Sequence, residues 1–167
     1  MALVLVAYAS KYGTTQEVAE RVAGVLERAG IDVEARDADD VGRLVGYDGV
    51  VIGGALYFFH WMKDARHLIT RHRKELEGIP VALFALGPFE STDEQLAEAR
   101  KPLDKFLEGQ DWLEPASTAI FGGAMDPEKL RFPDTAMKKM GPTDARDWDA
   151  IEAWAASLPA AFGLGSS

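Results

Sequence analysis

The stretch ALVLVAYASKYGTTQEV, residues 2–18, decides how the rest of the chain is arranged. It begins as an apolar run, passes through a short polar turn at residues 10–15, and continues as an amphipathic helical pattern that starts near Thr14. A strand that leads through a hydroxyl-rich turn into a helix is one way to hold a phosphate. The first N–H groups of a helix have no internal partner, and the helix dipole adds partial positive charge there.

Two interpretations of this turn stay open from its residues alone. In the first, Ser10, Thr14 and Thr15 donate hydroxyl hydrogen bonds to an anion, and Gly13 adopts a positive φ that lets the backbone approach it. In the second, Thr14 is only a helix N-cap and Glu17 completes a capping box. The turn has neither the Gly-Lys-Ser/Thr of a Walker loop nor a Gly-x-Gly-x-x-Gly fingerprint, so neither of those sites is predicted.

The composition indicates one globular domain. The chain has 167 residues, 47% of them hydrophobic and 27% charged, with no cysteine and a formal net charge of −9. We expect a single domain over residues 1–162 and a disordered tail over 163–167. The lack of cysteine excludes disulfides and thiolate metal sites and fits a reducing cytoplasm. The acidic charge disfavours nonspecific nucleic-acid binding, no apolar run is long enough to span a bilayer, and the first apolar run has no basic segment before it as a signal peptide would.

Five apolar runs alternate with helical patterns along the chain. The predicted strands are Leu3–Tyr8, Asp32–Arg36, Gly49–Gly54, Val81–Leu86 and Ser117–Gly122, with the second at an edge. The predicted helices run from Thr14 to a stop at Gly30 and over Asp39–Leu44, Met62–Glu77, Asp93–Leu107 and Asp147–Phe162. Pro102 predicts a kink or restart in the fourth helix, and Pro159 an early end of the last. The alternation predicts a three-layer α/β sandwich.

Three predicted turns follow strands one, three and four, at the carboxyl edge where open α/β sheets bind ligands. They are Ser10–Thr15, Gly53–Trp61 and Leu86–Thr92. The second turn holds four aromatic residues and a histidine within five positions, 57–61. Exposed aromatic rings favour stacking on a flat ligand, although any single one of Phe58, Phe59 and Trp61 is better explained as cover for the core. Together the turns predict a ligand with a phosphate at one end and a planar ring system at the other.

These motifs resemble the flavodoxin family, whose Ser/Thr-rich turn wraps the phosphate of flavin mononucleotide (FMN). The turn SKYGTT matches the family pattern at Ser10, Gly13 and Thr15, and Tyr12 departs from it. The resemblance implies a flavodoxin-like fold with a five-stranded parallel sheet of order 2-1-3-4-5, and Tyr57 or Phe58 as the residue stacked on the flavin ring. It implies these cofactor-binding residues: Ser10, Lys11, Tyr12, Gly13, Thr14, Thr15, Ala55, Leu56, Tyr57, Phe58, Phe59, Gly87, Pro88 and Phe89.

A closer resemblance is to the flavodoxin-like, quinone-dependent protoporphyrinogen oxidases of bacteria. The chain shares their Tyr-Gly-x-Thr turn at residues 12–15, a histidine, His60, in the aromatic second loop, and a Gly-Ala segment at residues 123–124. An insert follows, and then Thr143-Asp144 and Asp147-Trp148 lead into the last helix. The insert is shorter and less aromatic than in those enzymes. The resemblance implies a porphyrin substrate and a quinone acceptor.

The insert, residues 126–142, is long for an α/β connection, where about 2–6 residues are usual. Asp134 predicts the cap of a short helix with Met137 and Met140 on one face. The insert is basic within an acidic protein, through Lys129, Arg131, Lys138 and Lys139. It is interpreted either as a docking site for a porphyrin or quinone at a membrane surface, or for a partner protein, or as a surface helix that pins the last helix to the sheet.

Other kinds of site find no support. His60, His67 and His72 share no i, i+4 spacing, so no metal site is predicted, and His67 and His72 are expected on the surface of a basic helix. The ends of strands one and three carry no carboxylate, as a phosphoacceptor domain requires, and no Gly-x-Ser-x-Gly elbow is present. His60 is the one candidate for a catalytic acid or base.

The sequence therefore predicts an FMN-dependent, cytoplasmic oxidoreductase with at most peripheral contact at the inner face of a membrane. Its expected partners are a quinone or a redox partner protein, with protoporphyrinogen as the substrate that the resemblance implies. Two alternatives stay open: a non-enzymatic electron carrier that docks to a redox partner, and a binding module that has lost its flavin.

Overall fold

The computed structural model describes residues 2–57, 60–87, 92–125, 128 and 142–164. The strands are β1 (Leu3–Ala9), β2 (Asp32–Asp37), β3 (Gly49–Tyr57), β4 (His60–Trp61), β5 (Val81–Leu86), β6 (Ser117–Phe121), β7 (Ala124–Met125) and β8 (Thr143–Asp144). The helices are α1 (Thr14–Arg28), α2 (Lys63–Arg71), α3 (Arg73–Leu76), α4 (Asp93–Glu108) and α5 (Trp148–Ala161). The insert, apart from Glu128 and Pro142, lies outside the described residues, and so does its predicted helix.

Five parallel strands form the main sheet in the order β2-β1-β3-β5-β6. This is the predicted order 2-1-3-4-5, because β4 is a two-residue strand that pairs only with the end of β3. The strand β2 lies at the edge, as predicted from its alternating polar and apolar residues. A flavodoxin-like α/β sandwich is therefore confirmed.

The sheet is covered on both faces, and all six residues of β5 are buried. Successive side chains of a strand point to opposite faces, so each continuous apolar run contributes to two core layers. One layer joins α1 and α5 to the sheet through residues such as Val6 and Phe84. The other joins α2 and α4 to the opposite face through residues such as Leu5 and Leu83.

The structure corrects two predicted helices. Instead of a helix over Asp39–Leu44, only a 3₁₀ turn, Ala38–Asp40, forms, and Val41 is extended. The helix predicted over Met62–Glu77 breaks at His72, where α2 ends and α3 begins. His72 was expected on the surface, but it is only 8% exposed, and its ring nitrogens lie 2.9 Å and 2.8 Å from the carbonyl oxygens of Leu68 and Gly42. His67 is exposed, as predicted.

Pro102 does not make α4 restart, and Pro159 does not end α5 at once. The helix α4 is continuous through Pro102, and α5 runs two residues past Pro159 to Ala161. A proline removes only its own N–H donor, and packing of the helix on the sheet outweighs that loss here. None of the described helices is long and apolar enough to cross a membrane.

The start of β1 and the end of α5 meet at the amino edge of the sheet. Gly49, the first residue of β3, pairs with Val4, near the start of β1. A Cβ built on Gly49 would lie 2.6 Å from the ring of Phe162, so the residue after α5 packs directly against this edge. Gly163 and Leu164, expected to begin a disordered tail, donate backbone hydrogen bonds to the last turn of α5.

Candidate functional site

The parallel register brings the ends of β1, β3 and β5 to one edge. Ala9 pairs with Gly54, and Ala55 pairs with Leu86. The backbone segments that follow these three strands therefore start at the same edge of the sheet. The described residues of the three predicted site segments lie at this carboxyl edge.

The first turn leads directly into α1 through Gly13. Gly13 has a φ of +86°, as predicted, and it is the N-cap residue of the helix. Its N–H donates to Oγ of Ser10 at 2.8 Å, and its carbonyl oxygen accepts from Glu17 N–H at 3.1 Å. The capping-box interpretation is wrong, because Thr14 is the first helical residue and its hydroxyl donates to the carbonyl oxygen of Ala124 at 3.4 Å.

The side-chain hydroxyl of Thr15 lies buried in this turn. The residue is 1% exposed, and its Oγ1 has no hydrogen-bond partner among the described residues. Leaving a buried hydroxyl without a partner costs about 1–3 kcal/mol. The helix N-terminus also lacks a side-chain cap. An anion at this turn would accept from both groups, so the residues present fit a phosphate.

The second segment is a strand and a hairpin rather than the predicted loop. The strand β3 continues past Gly54 through Ala55 and Leu56 to Tyr57, and β4 turns back so that His60 pairs with Tyr57. Aromatic residues favour extended backbone, which explains the longer strand. His60 is exposed. Phe58 and Phe59 lie outside the described residues, as does the side chain of Tyr57, so their predicted stacking on a flavin stays a prediction.

Trp61 belongs to the core rather than to an open aromatic surface. It is 1% exposed, its Nε1–H donates to the carbonyl oxygen of Gly54 at 3.1 Å, and its ring centroid lies 5.7 Å from that of Phe106. For Trp61, the interpretation as cover for the core is confirmed.

The third segment begins with a tightly packed glycine. A Cβ on Gly87 would lie 2.8 Å from Cδ1 of Leu56 and 2.8 Å from Cβ of Ala99. A Cβ on Gly123 would lie 3.0 Å from the carbonyl oxygen of Gly87. Because residues 87 and 123 are glycines, the backbone at Gly87 can lie this close to Leu56, Ala99 and Gly123. Pro88 and Phe89 lie outside the described residues.

Sequence reasoning missed a polar network that ties the base of the insert to the first turn of α1. The strands β7 and β8 pair antiparallel on either side of the insert. Arg146 follows β8 and contacts two carboxylates, Asp144 at 2.9 Å and Glu17 at 2.5 Å. Hydrogen bonding to Arg146 lowers the pKa of the Asp144 carboxyl, and the same bond raises the pKa of Arg146. Asp144 and Arg146 are neighbours in sequence, but nothing in the sequence connects them with Glu17.

Two relatives that share one name match nearly the whole chain. The protein is 25% identical, over 173 residues, to the protoporphyrinogen IX dehydrogenase [quinone] of Escherichia coli strain K12, an alignment that covers 92% of this chain and 93% of that protein. It is 24% identical to the Leishmania major protein of the same name, with 93% of this chain and 74% of that protein covered.

Solved flavodoxins share the fold. An archaeal flavodoxin superposes with a TM-score of 0.64 at 14% identity, covering 96% of this chain and 99% of that one. The two-electron reduced flavodoxin of Megasphaera elsdenii superposes with a TM-score of 0.57 at 18% identity, covering 92% and 98%.

A comparison with family models identifies the family of the chain. Residues 5–144 match the family described as the flavodoxin domain, which is most of the chain. The protein therefore belongs to the flavodoxin family, and its cofactor is FMN.

Proposed function

We propose that the protein holds FMN at the carboxyl edge of its sheet and uses it to oxidise protoporphyrinogen, with a quinone as electron acceptor. The phosphate would lie in the turn Ser10–Thr15. The supporting observation is the buried Thr15 hydroxyl, which has no partner among the described residues beside an uncapped helix N-terminus. Nζ of Lys11 lies 5.5 Å from the ring centroid of Tyr12, and both residues belong to the proposed phosphate turn.

The flavin ring would lie between the second and third segments. Ala55, Leu56 and Gly87 are the proposed flavin contacts among the described residues, and a Cβ on Gly87 would lie 2.8 Å from Cδ1 of Leu56. Tyr57, Phe58, Phe59, Pro88 and Phe89 complete the set of proposed flavin contacts. FMN, when bound, supplies the redox chemistry, and the chain supplies orientation and electrostatic tuning.

The length of the match to the curated relatives supports the proposal of a porphyrinogen substrate and a quinone acceptor. Their alignment covers 92% of this chain. The base of the insert, β7 and β8, contacts the phosphate turn through Thr14 and Ala124. A ligand held by the insert would therefore lie close to the flavin. In the overall reaction, the substrate loses two electrons and two protons for each quinone that is reduced to quinol.

The first experiment is an anaerobic assay of the FMN-loaded protein. Protoporphyrinogen is the donor, a menaquinone analogue is the acceptor, and porphyrin fluorescence reports turnover. We expect a rate well above that of free FMN at the same concentration. A rate no higher than this control, with FMN firmly bound, would contradict the proposed substrate.

The structure supplies a matched variant for the insert. Met125 and Thr143 form the last pair of the β7–β8 ladder, so an Asn-Gly turn in place of residues 126–142 would close a two-residue hairpin. We expect this variant to bind FMN and accept electrons from dithionite as the wild type does, but to lose turnover of protoporphyrinogen. Undiminished turnover would exclude the insert from substrate binding.

One observation favours a second function, electron carriage between proteins. Among the described residues of the three site segments, exposed His60 is the only histidine or carboxylic acid. Electron carriage needs no acid or base beside the flavin, so these described residues fit it. His60→Gln separates the functions: an enzyme that uses His60 as its acid or base loses turnover, whereas a carrier keeps its rate of electron transfer.

A further inference from the structure

Arg146 contacts two carboxylates and an aromatic ring near the proposed phosphate site. Its side chain is only 11% exposed. It forms a forked pair with Asp144, in which Nε and Nη2 donate to the two carboxylate oxygens at 2.9 Å each. Its Nη1 donates to Glu17 at 2.5 Å, and its guanidinium lies 4.9 Å from the ring centroid of Trp148.

Glu17 places this arrangement next to the proposed phosphate site. It lies in the first turn of α1, and its N–H bonds to the carbonyl oxygen of Gly13. One helical turn rises about 5.4 Å, so the carboxylate lies within reach of any anion at the helix N-terminus. A carboxylate there stabilises the empty helix through the dipole, but it repels a phosphate that seeks the same N–H groups.

We propose that Arg146 is a positioning residue of the phosphate site: by neutralising Glu17 and fixing its direction, it lets the turn Ser10–Thr15 prefer a phosphorylated flavin over riboflavin. The inference rests on the proposed placement of the FMN phosphate in that turn. Asp144 holds the guanidinium from the other side, so that Arg146 stays aligned on Glu17. Arg146 itself touches neither flavin nor substrate in this proposal.

The test compares two ligands that differ only in the phosphate. Apoprotein is titrated with FMN and with riboflavin, and quenching of flavin fluorescence gives each Kd. Arg146→Met keeps an apolar chain against Trp148 but removes the charge. We expect FMN to bind about fourfold more weakly, the factor that one unit charge about 10 Å from a dianion produces in water. Riboflavin affinity should stay unchanged, and the FMN effect should shrink in 0.5 M salt.

Rescue variants distinguish a charge effect from a loss of structure. Arg146→Lys, which keeps the charge, should retain most of the preference for FMN. The double variant Glu17→Gln/Arg146→Met should regain wild-type FMN affinity, because the excess negative charge is gone. Glu17→Gln alone should bind FMN more tightly than the wild type.

A matched control lies farther along α1. Arg21 pairs with Glu152 at 3.3 Å and lies 4.4 Å from the centroid of the same Trp148 ring. Arg21→Met should change the ratio of FMN to riboflavin affinity by less than about twofold, since its charge lies farther from the helix N-terminus.

Two outcomes would overturn the inference. One is an Arg146→Met protein that loses FMN and riboflavin equally, which would make the residue merely structural. The other is a protein whose FMN preference is unchanged. A different result, wild-type protein that binds riboflavin as tightly as FMN, would instead contradict the proposed phosphate site itself.

Discussion

At the scale of single residues, Thr15 carries a hydroxyl that is buried without a partner among the described residues. We expect Thr15→Val to leave the stability of the apoprotein unchanged or slightly higher, because the unpaired polar group is removed. The same change should weaken FMN binding about tenfold, the equivalent of about 1.4 kcal/mol for one lost hydrogen bond. Thermal unfolding of the apoprotein and FMN titration measure the two effects.

Thr14→Val is the control for this prediction. Its hydroxyl already donates to Ala124, so its loss should lower the stability of the apoprotein. If Thr15→Val behaved in the same way and bound FMN normally, the hydroxyl of Thr15 would have a structural role and no part in phosphate binding.

Gly53 faces an aromatic ring on the neighbouring strand. A Cβ on Gly53 would lie 1.9 Å from Cζ of Phe84, which is fully buried and cannot move away freely. We expect Gly53→Ala to lower the free energy of unfolding by about 1–3 kcal/mol. Urea denaturation of the apoprotein measures this loss.

Gly24 offers a control with the opposite sign. It lies inside α1, and nothing is within 4 Å of the Cβ position. Gly24→Ala should raise stability by about 1 kcal/mol, because alanine is the better helix former. Equal effects of the two substitutions would show that the contact with Phe84 does not limit Gly53.

These residues also show what the sequence could and could not predict about the site. The positive φ of Gly13 was predictable, because the strand, the turn and the helix adjoin in sequence. The requirement for glycine at positions 53 and 87 was not, since it depends on Phe84, Leu56 and Ala99 in neighbouring elements. Contacts between distant segments leave no local pattern.

At the scale of elements, side chains from α2 and α3 hold the segment that follows β2. Arg71 donates to the carbonyl oxygens of Ala38 and Val41, and Glu75 accepts from the N–H of Leu44 at 2.7 Å. His72 contacts Gly42 from the same side. These contacts explain why the helical pattern breaks at His72 and why residues 41–44 form no helix. Both departures from the prediction share this tertiary cause.

Tyr47 joins the same segment to the edge strand β2. Its hydroxyl donates to Glu34, and burial together with this bond raises the pKa of the phenol. A raised pKa means that the stabilisation is complete below the unfolded pKa, near 10, and is lost as pH rises through the folded pKa. We therefore expect wild-type stability, measured by urea denaturation, to fall as the pH rises above about 10.

Tyr47→Phe should weaken that fall. The pKa of Tyr8 is raised as well, through burial and Asp37, so part of the alkaline loss should persist in the variant. A variant with the full wild-type pH dependence would show that Tyr47 contributes nothing to it.

The main strands and long helices were predictable because their patterns are continuous. The runs from Leu3 and Val81 are buried on both faces, as a parallel sheet requires. The strands β4, β7 and β8 were not predictable, since two residues carry no periodicity. Their pairing depends on β3 and on the segment that returns after the insert.

At the scale of the whole molecule, the net charge of −9 should tune the cofactor. Negative charge disfavours the anionic reduced flavin and lowers its midpoint potential. Salt screens these surface charges, so the potential should rise by about 20 mV, or roughly 0.5 kcal/mol for one electron, between low salt and 0.5 M salt. A spectroscopic redox titration measures it, with free FMN as the control. A potential that falls with added salt would refute the effect.

The position of Phe162 against Gly49 has a practical consequence. The first strand starts and the last helix ends at the edge of the sheet opposite to the proposed flavin. A purification tag, a fluorescent reporter or an electrode linker attached ahead of β1 or after α5 would therefore leave the domain at the edge opposite to the cofactor. A protein monolayer immobilised in this way would present the flavin edge outward to its electron donors.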